Sequence, residues 1–423
     1  MFLFKNNKNQ EKNHLLKILI VLSVPSFILS FNHNGFLALL PFVREEFFLT
    51  RAQVGYYSTY FFISAAVLAV FTGSIVDNFG PKKSMLLGIA SMSFVMLFYG
   101  FFSSYTIILF LALLAGLGFS IITPSVTKGV ILVTSRENRA VSLGITQAGF
   151  GLGGIAGAGL LPLIAPLLNW RIAIQLAAII ALASGFLVYK FYHEQNKDNS
   201  PRESNKSRKE EQNNLSFRNS LILLFKNKYL FQVCVVGSVF GIAMGTVISH
   251  FAVFISDDLD KSKAIAGLGL GILQFGGIIG RPIWGWLSDK LLKGSRQSSL
   301  FLITLFTGIM YLFFGIFFNR LALDTGLIFV FSFLMGFSSL GWSGVHFTAV
   351  AEFAKEKQAG IATGLSLLFI RVGALFAPPI FGFIADLKGS YKHGWIVFGI
   401  FIIVSAFIFV GRIRSDKDST SPI

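Results

Sequence analysis

Charge is scarce in this chain. Only 13% of its residues are Asp, Glu, Lys or Arg, about half the share of an ordinary soluble domain. Cysteine is scarcer still. The single Cys234 lies in an apolar run, which excludes an intrachain disulfide and a cysteine metal cluster. No aspartate or glutamate falls inside an apolar run away from its ends; Asp77, Asp289, Glu352 and Asp386 all stand at run ends. The chain also lacks a glycine-rich phosphate loop with lysine, a metal-ligand cluster and a nucleophile–base set. No cofactor is therefore expected, and an enzyme is not expected.

Apolar sequence fills the space. Hydrophobic residues make up 54% of the 423 positions, with 48 phenylalanines and a mean hydropathy of +0.69. Runs of about 18 or more apolar residues recur along the whole chain, each long enough to cross a bilayer as a helix. They are too long for barrel strands of about 10 residues. The expected fold class is an all-α membrane protein of twelve transmembrane helices. Helices are expected at about 18–42, 54–75, 84–103, 106–133, 140–166 and 171–192. A second set follows at about 229–256, 264–287, 298–318, 325–351, 359–385 and 395–412. The first run has no small-residue cleavage site after it and reads as a retained helix rather than a signal peptide. Residues 194–219, rich in Asn, Ser, Lys, Arg and Glu, bury too little apolar surface to fold alone and read as a linker. The expected organisation is a six-helix bundle over 1–193, the linker at 194–219 and a second bundle over 220–423.

The halves repeat each other. Gly144, Gly153 and Gly157 in helix 5 share their spacing with Gly364, Gly373 and Ala377 in helix 11. Arg136-Glu137 matches Lys355-Glu356, and Trp170 matches Trp395. Matches in the same order at similar offset favour duplication over the chance likeness of glycine-rich helices. The net charge of +16 would suggest nucleic acid in a soluble protein. Here Lys82, Lys83, Arg136, Arg139, Lys290, Lys293, Arg296 and the basic linker gather on one side of the expected topology. By the positive-inside rule that side is cytoplasmic, and so are both termini. The charge then faces anionic lipid headgroups and not nucleic acid. An inner-membrane, multi-pass protein is expected, with a monomer as the simplest assembly.

Two stretches carry the mechanism. Gly73-Ser74-Ile75-Val76-Asp77-Asn78-Phe79-Gly80-Pro81-Lys82-Lys83 and Gly285-Trp286-Leu287-Ser288-Asp289-Lys290 each mark a tight turn between the second and third helix of a half. Glycine allows close helix approach, and the aspartate suits a neighbouring helix amino terminus or a loop lysine. Gly73, Asp77, Gly80, Gly285 and Asp289 are therefore expected to gate. The ordinary alternative, a solvated loop, explains one copy more readily than two.

Lys128, Arg281 and Arg371 lie inside apolar runs with no acidic partner evident there. Buried charge is usually paired or functional, so a bound anion is the natural counter-charge. Snorkelling to the headgroups is the competing account. It suits Lys128, about 10 Å along the axis from Ser135, and suits Arg371, near the middle of helix 11, least. Arg281 breaks the repeat, since the same offset in the first half lands on Ala69. His33, His250 and His346 are further polar residues in runs. Asn32 and His33 form with Asn34 a polar patch whose depth suggests a role in the site or in moving protons. Interhelical hydrogen bonding accounts better for His250 and His346. Tyr57, Tyr60, Trp284 and Trp342 are candidate pocket walls.

With these residues in view, the chain resembles the major facilitator superfamily over nearly its whole length. The Gly73–Lys83 loop follows that family's signature, with Asn78 where a basic residue is usual. The helix 5 glycines resemble the antiporter motif only in part, since Ala158 replaces its proline and Leu161-Pro162 its closing glycine pair. The resemblance implies two pseudo-symmetric six-helix bundles with alternating access to a site between them. Gly280-Arg281-Pro282 followed by Gly285 and Asp289 is similar to helix 8 of the oxalate–formate antiporters and monocarboxylate transporters. Oxalate carriers of that group use basic residues in helices 8 and 11, which implies roles for Arg281 and Arg371. Animal monocarboxylate carriers place an aspartate where Gly277 stands here. The expected function is a secondary active transporter of a small mono- or dicarboxylate, with substrate contacts from Arg281, Arg371, His33, Asn32, Tyr57 and Trp342. Proton symport, anion exchange and uniport all remain open. The alternatives are a carrier of a larger or amphipathic solute such as a drug, and a membrane sensor that no longer transports.

Overall fold

The computed structural model describes residues 2–135, 138–192, 227–317, 324–354 and 359–410. The expected linker at 194–219 and the matched pairs Arg136-Glu137 and Lys355-Glu356 lie outside them. Helices occupy all twelve expected places: α1 (Phe2–Phe47), α2 (Arg51–Phe79), α3 (Pro81–Tyr99), α4 (Tyr105–Val133), α5 (Arg139–Leu168) and α6 (Trp170–Phe191). The second set is α7 (Lys228–Asp257), α8 (Lys263–Trp286), α9 (Arg296–Ile316), α10a (Thr325–Ser339), α10b (Ser343–Phe353), α11 (Ala359–Lys388) and α12 (Tyr391–Ser405). Among the described residues, ten spans are long and apolar enough to cross a membrane.

Two departures from expectation have local causes. Helix α1 extends well before residue 18 because nothing from Phe2 to Lys17 is Gly or Pro, so no breaker stops it. The tenth helix is broken at 340–342. There Gly341 lies against the backbone of Gly280 in α8, where an added Cβ would stand 3.0 Å from the Gly280 Cα. A continuous helix gives way to this close approach.

Packing repeats with a shift of six helices. In the first half α1 packs on α5, α2 on α4 and α3 on α6; in the second, α7 packs on α11, α8 on α10a and α9 on α12. The matched glycines do the same work in each half. A Cβ on Gly153 would run into the α1 backbone at Phe27, and one on Gly373 into the α7 backbone at Ser238. Small residues let such helices approach to backbone contact, which is how packing arises where lipid supplies no hydrophobic drive. The halves meet mainly through α2 against α11 and α5 against α8, with α1 against α7 between these seams. Shifting by six helices converts one seam into the other.

Candidate functional site at the seam between the halves

Both seams are tight at one end. On the first, a Cβ on Gly55 would stand 2.5 Å from the Pro378 carbonyl carbon, and one on Gly382 2.7 Å from the Ala52 Cα. On the second, Gly267 abuts Pro162, Gly271 lies along Ile155 and Gly159, and Gly151 abuts Ile278. Polar bonds follow the same seams. Pro379 has no N–H, so the Leu375 carbonyl four residues earlier loses its helical donor. The Thr59 hydroxyl of α2 donates to that carbonyl at 2.8 Å. Asp386 of α11 accepts from the backbone N–H of Arg51 at 2.8 Å and of Ala52 at 2.9 Å. These are orphan donors at the positive end of α2, so the carboxylate both caps the helix and meets its dipole. Arg51 also reaches Asp258 at 3.2 Å, a carboxylate only 3% exposed, and Asp258 accepts from the Ser390 hydroxyl and the Tyr391 N–H as well. Arg44 pairs with Asp257, and Lys263 with Glu45. Deeper in, the Ser58 and Ser249 hydroxyls meet at 2.6 Å. Gln274 of α8 donates its amide to Asn34 of α1, which itself donates to Ser30.

The same helix faces open at the other end. Gly144 lies seven residues from Gly151, Gly285 seven from Ile278, and Gly364 eighteen from Gly382. Each spacing returns close to one face of a helix. A Cβ built on any of the three would meet nothing within 4 Å. Helices α5, α8 and α11 therefore touch the opposite half at one end and part from it at the other.

Arg281 and Arg371 stand where the parting begins. Arg371 lies seven residues from Pro378 on the tight side and seven from Gly364 on the open side; Arg281 lies seven from Gln274 and four from Gly285. The two are on different seams of the second half, with α7 packed against both of their helices. Among the described residues neither forms an ion pair. Arg371 reaches only the Ala65 carbonyl of α2, at 3.5 Å. The Arg281 Nε is buried without a hydrogen-bond partner.

Lys128 has an acidic partner that the sequence did not make evident. It is paired, donating to Asp77 at 2.7 Å and to the Val76 carbonyl at 3.0 Å. Asp77 sits at the end of α2, 51 positions away in sequence, and the long lysine stem reaches it. The loop aspartates are each held within their own half. Asp289 accepts from Arg296 at 2.6 Å, and Arg296 also donates to Ser288 and Glu352. Gly80 has φ 79°, joining α2 to α3 through a conformation that glycine adopts without strain. Gly73 lies in the last turns of α2.

The remaining candidates lie in packing within their own halves. Asn32 is fully buried with neither amide atom partnered, on a face of α1 about 200° from Asn34, which meets α8. His33 is 3% exposed, with both ring nitrogens unpartnered, among Phe61, Phe62 and Phe119. Tyr57 is buried against Phe36 and Tyr99, and Trp342 stacks on Phe240 at 5.0 Å. Trp284 is buried, donating to the Phe337 carbonyl, while Tyr60 is partly exposed. His250 contacts the Pro378 carbonyl at 2.8 Å and Tyr391 at 3.2 Å, so its Nε2 carries the proton; His346 meets Ser366 at 2.7 Å. Sequence reasoning missed Arg44, Arg51, Asp257, Asp258, Asp386 and Gln274 as seam residues. The available signal was weak: opposite charges at the ends of helices on the less basic side.

Comparison with known proteins identifies the family. The sequence profile of the Major Facilitator Superfamily matches residues 22–342 and 233–422. The chain belongs to that superfamily. Similar proteins include the hexuronate transporter of Bacillus subtilis, 21% identical with 94% of each chain covered. A probable hexose phosphate transport protein of Chlamydia trachomatis is 22% identical, covering 95% of this chain and 90% of the relative. A probable sulfoacetate transporter of Cupriavidus necator is 23% identical, covering 92% and 91%. Two solved structures share the fold. One is an inward-facing, unoccupied bacterial homologue of the lysosomal transporter Spinster, with TM-score 0.76 at 13% identity and 94% and 96% covered. The other is a D-xylose–proton symporter, with TM-score 0.76 at 14% identity and 97% and 100% covered. The chain is a secondary transporter in a membrane, not an enzyme.

Proposed function

We propose that this transporter carries a small organic anion by alternating access, with Arg281 and Arg371 as its counter-charges. The supporting observation is that both arginines stand where the seams part and neither has an ion-pair partner among the described residues. An intramembrane cation without a carboxylate favours an anion that brings one. Guanidinium forks suit carboxylate, sulfonate and phosphate oxygens alike. The named relatives are a hexuronate transporter and probable sulfoacetate and hexose phosphate transporters, whose named solutes are all acidic, and the helix 8 motif supports kinship with oxalate and monocarboxylate carriers. We assign the chain to organic anions on both grounds.

With both termini in the cytoplasm, the open end faces inward and the Arg44–Asp257, Arg51–Asp258 and Asp386 contacts form the outer gate. Asp77 and Asp289, held within their halves in this conformation, are released to engage across the halves when the inner side closes. A proton, if one is coupled, travels on the substrate or on His33. The test is a thermal-shift screen of purified protein in neutral detergent against sugar acids, sulfonates, sugar phosphates, monocarboxylates and cationic amphiphiles. A true ligand stabilises by mass action, about 2.7 kcal/mol at a hundredfold excess over Kd. Stabilisation by an acidic solute, lost in Arg281→Gln and Arg371→Gln, is the expected result. Stabilisation by cationic amphiphiles alone defeats the proposal.

A further inference from the structure

Away from the seams, α3 and α6 enclose a groove of about 270 Å³ on the flank of the first half. Its walls are Leu86, Ile89 and Ala90 of α3 and Leu182, Gly185 and Phe186 of α6. Gly185 leaves the floor low: a Cβ there would meet only Ile89 at 3.5 Å and Leu86 at 3.9 Å. Phe186 is 61% exposed, so the groove opens outward, toward lipid in a membrane-embedded protein. Counting about 1.5 Å per residue from Pro81 and Phe191, it runs from roughly 8 to 14 Å inside the helix ends. That depth belongs to acyl chains within one leaflet.

The mouth is basic. Lys82 and Lys83 occupy the first turn of α3 and Lys190 the last turn of α6. Neither helix contains an aspartate or glutamate. The Lys82 ammonium lies 5.0 Å over the ring of Tyr189, which lines the groove at its edge. The amino terminus of α3 adds the positive end of its dipole at the same level. An apolar slot under three cations matches a lipid whose headgroup is negative, and it matches a zwitterionic one less well.

We propose that this groove is a binding site for an anionic phospholipid, its acyl chain along Ile89 and Gly185 and its phosphate among Lys82, Lys83 and Lys190. The test uses full-length protein in maltoside detergent and native mass spectrometry, with phosphatidylglycerol and phosphatidylcholine of the same chain length as probes. The wild type should retain phosphatidylglycerol in preference to phosphatidylcholine. Each lysine changed to glutamine should weaken retention of phosphatidylglycerol about fivefold, leaving phosphatidylcholine unchanged. Gly185→Leu should displace both lipids at this site, and soluble glycerol phosphate should not compete, since it has no chain to bury. Equal retention of the two lipids by the wild type overturns the proposal. So does an undiminished preference in a folded variant lacking all three lysines.

Discussion

At the scale of the residue, the proposed function rests on two guanidinium groups with different surroundings. Among the described residues, Arg371 has one long bond to a backbone carbonyl of the opposite half, while the Arg281 Nε is unsatisfied in the interior. A charge-assisted bond to an anion contributes about 1.5–3 kcal/mol, so Arg281→Gln or Arg371→Gln should weaken binding about 10- to 150-fold. Lysine at either position keeps the charge but loses the fork, and should restore only part of the affinity. Equilibrium binding to variants shown to be folded measures this, and wild-type affinity in both glutamine variants would return the arginines to a snorkelling role. The histidines divide in the same way. His250 and His346 have hydrogen-bond partners, whereas among the described residues neither ring nitrogen of His33 has one. His33→Gln should therefore alter the pH profile of uptake more than His250→Gln or His346→Gln, and an unmoved profile in all three variants excludes histidine as the proton carrier.

At the scale of the element, glycines mark which helix faces lie in backbone contact in this conformation and which stand open. Gly153 and Gly373 hold backbones together inside each half, so valine there should destabilise the protein by at least about 1–3 kcal/mol. Gly144 and Gly364 face open space on helices of the seams. Leucine at these two should leave the melting temperature nearly unchanged yet slow transport, because the open end must close once per cycle. Normal uptake by Gly144→Leu and Gly364→Leu would show that those faces never meet the other half. The loop aspartates belong to this scale too: the Asp77→Asn and Asp289→Asn double variant should lower the transport rate while leaving affinity nearly intact, since it acts on the equilibrium between states. Much of this was legible beforehand. Hydrophobic length located the helices, and equal glycine spacing in α5 and α11 revealed the duplication, because these features are local or periodic. The break at Gly341 was not legible, since it depends on α8 lying against that one glycine among 42. The Lys128–Asp77 pair was missed for a similar reason: its partners sit on different helices, and sequence distance hides their proximity.

At the scale of the whole molecule, the tight end is a set of bonds joining residues some 190 to 340 positions apart, and no periodicity announces them. Their charges read as ordinary helix ends until the halves are placed together. If they hold the outer side shut, Asp258→Asn and Asp386→Asn should shift the population toward an outward-open form. Cysteines placed at Ser58 and Gly364 in a Cys234→Ser background report this through labelling by a membrane-impermeant maleimide from each side. The aspartate variants should raise outside labelling at position 58 and lower inside labelling at position 364. Identical labelling in parent and variants argues against a gate at this end. The tight end has another property, which concerns inheritance. Asp386 binds two backbone N–H groups, and Thr59 binds a backbone carbonyl. No substitution at Arg51, Ala52 or Leu375 deletes those acceptors and donors, save proline at the N–H positions. On that side of each bond the sequence is free to drift, so the pairs should show little correlated change among descendants. Aligned sequences would then under-report the very contacts that join the halves.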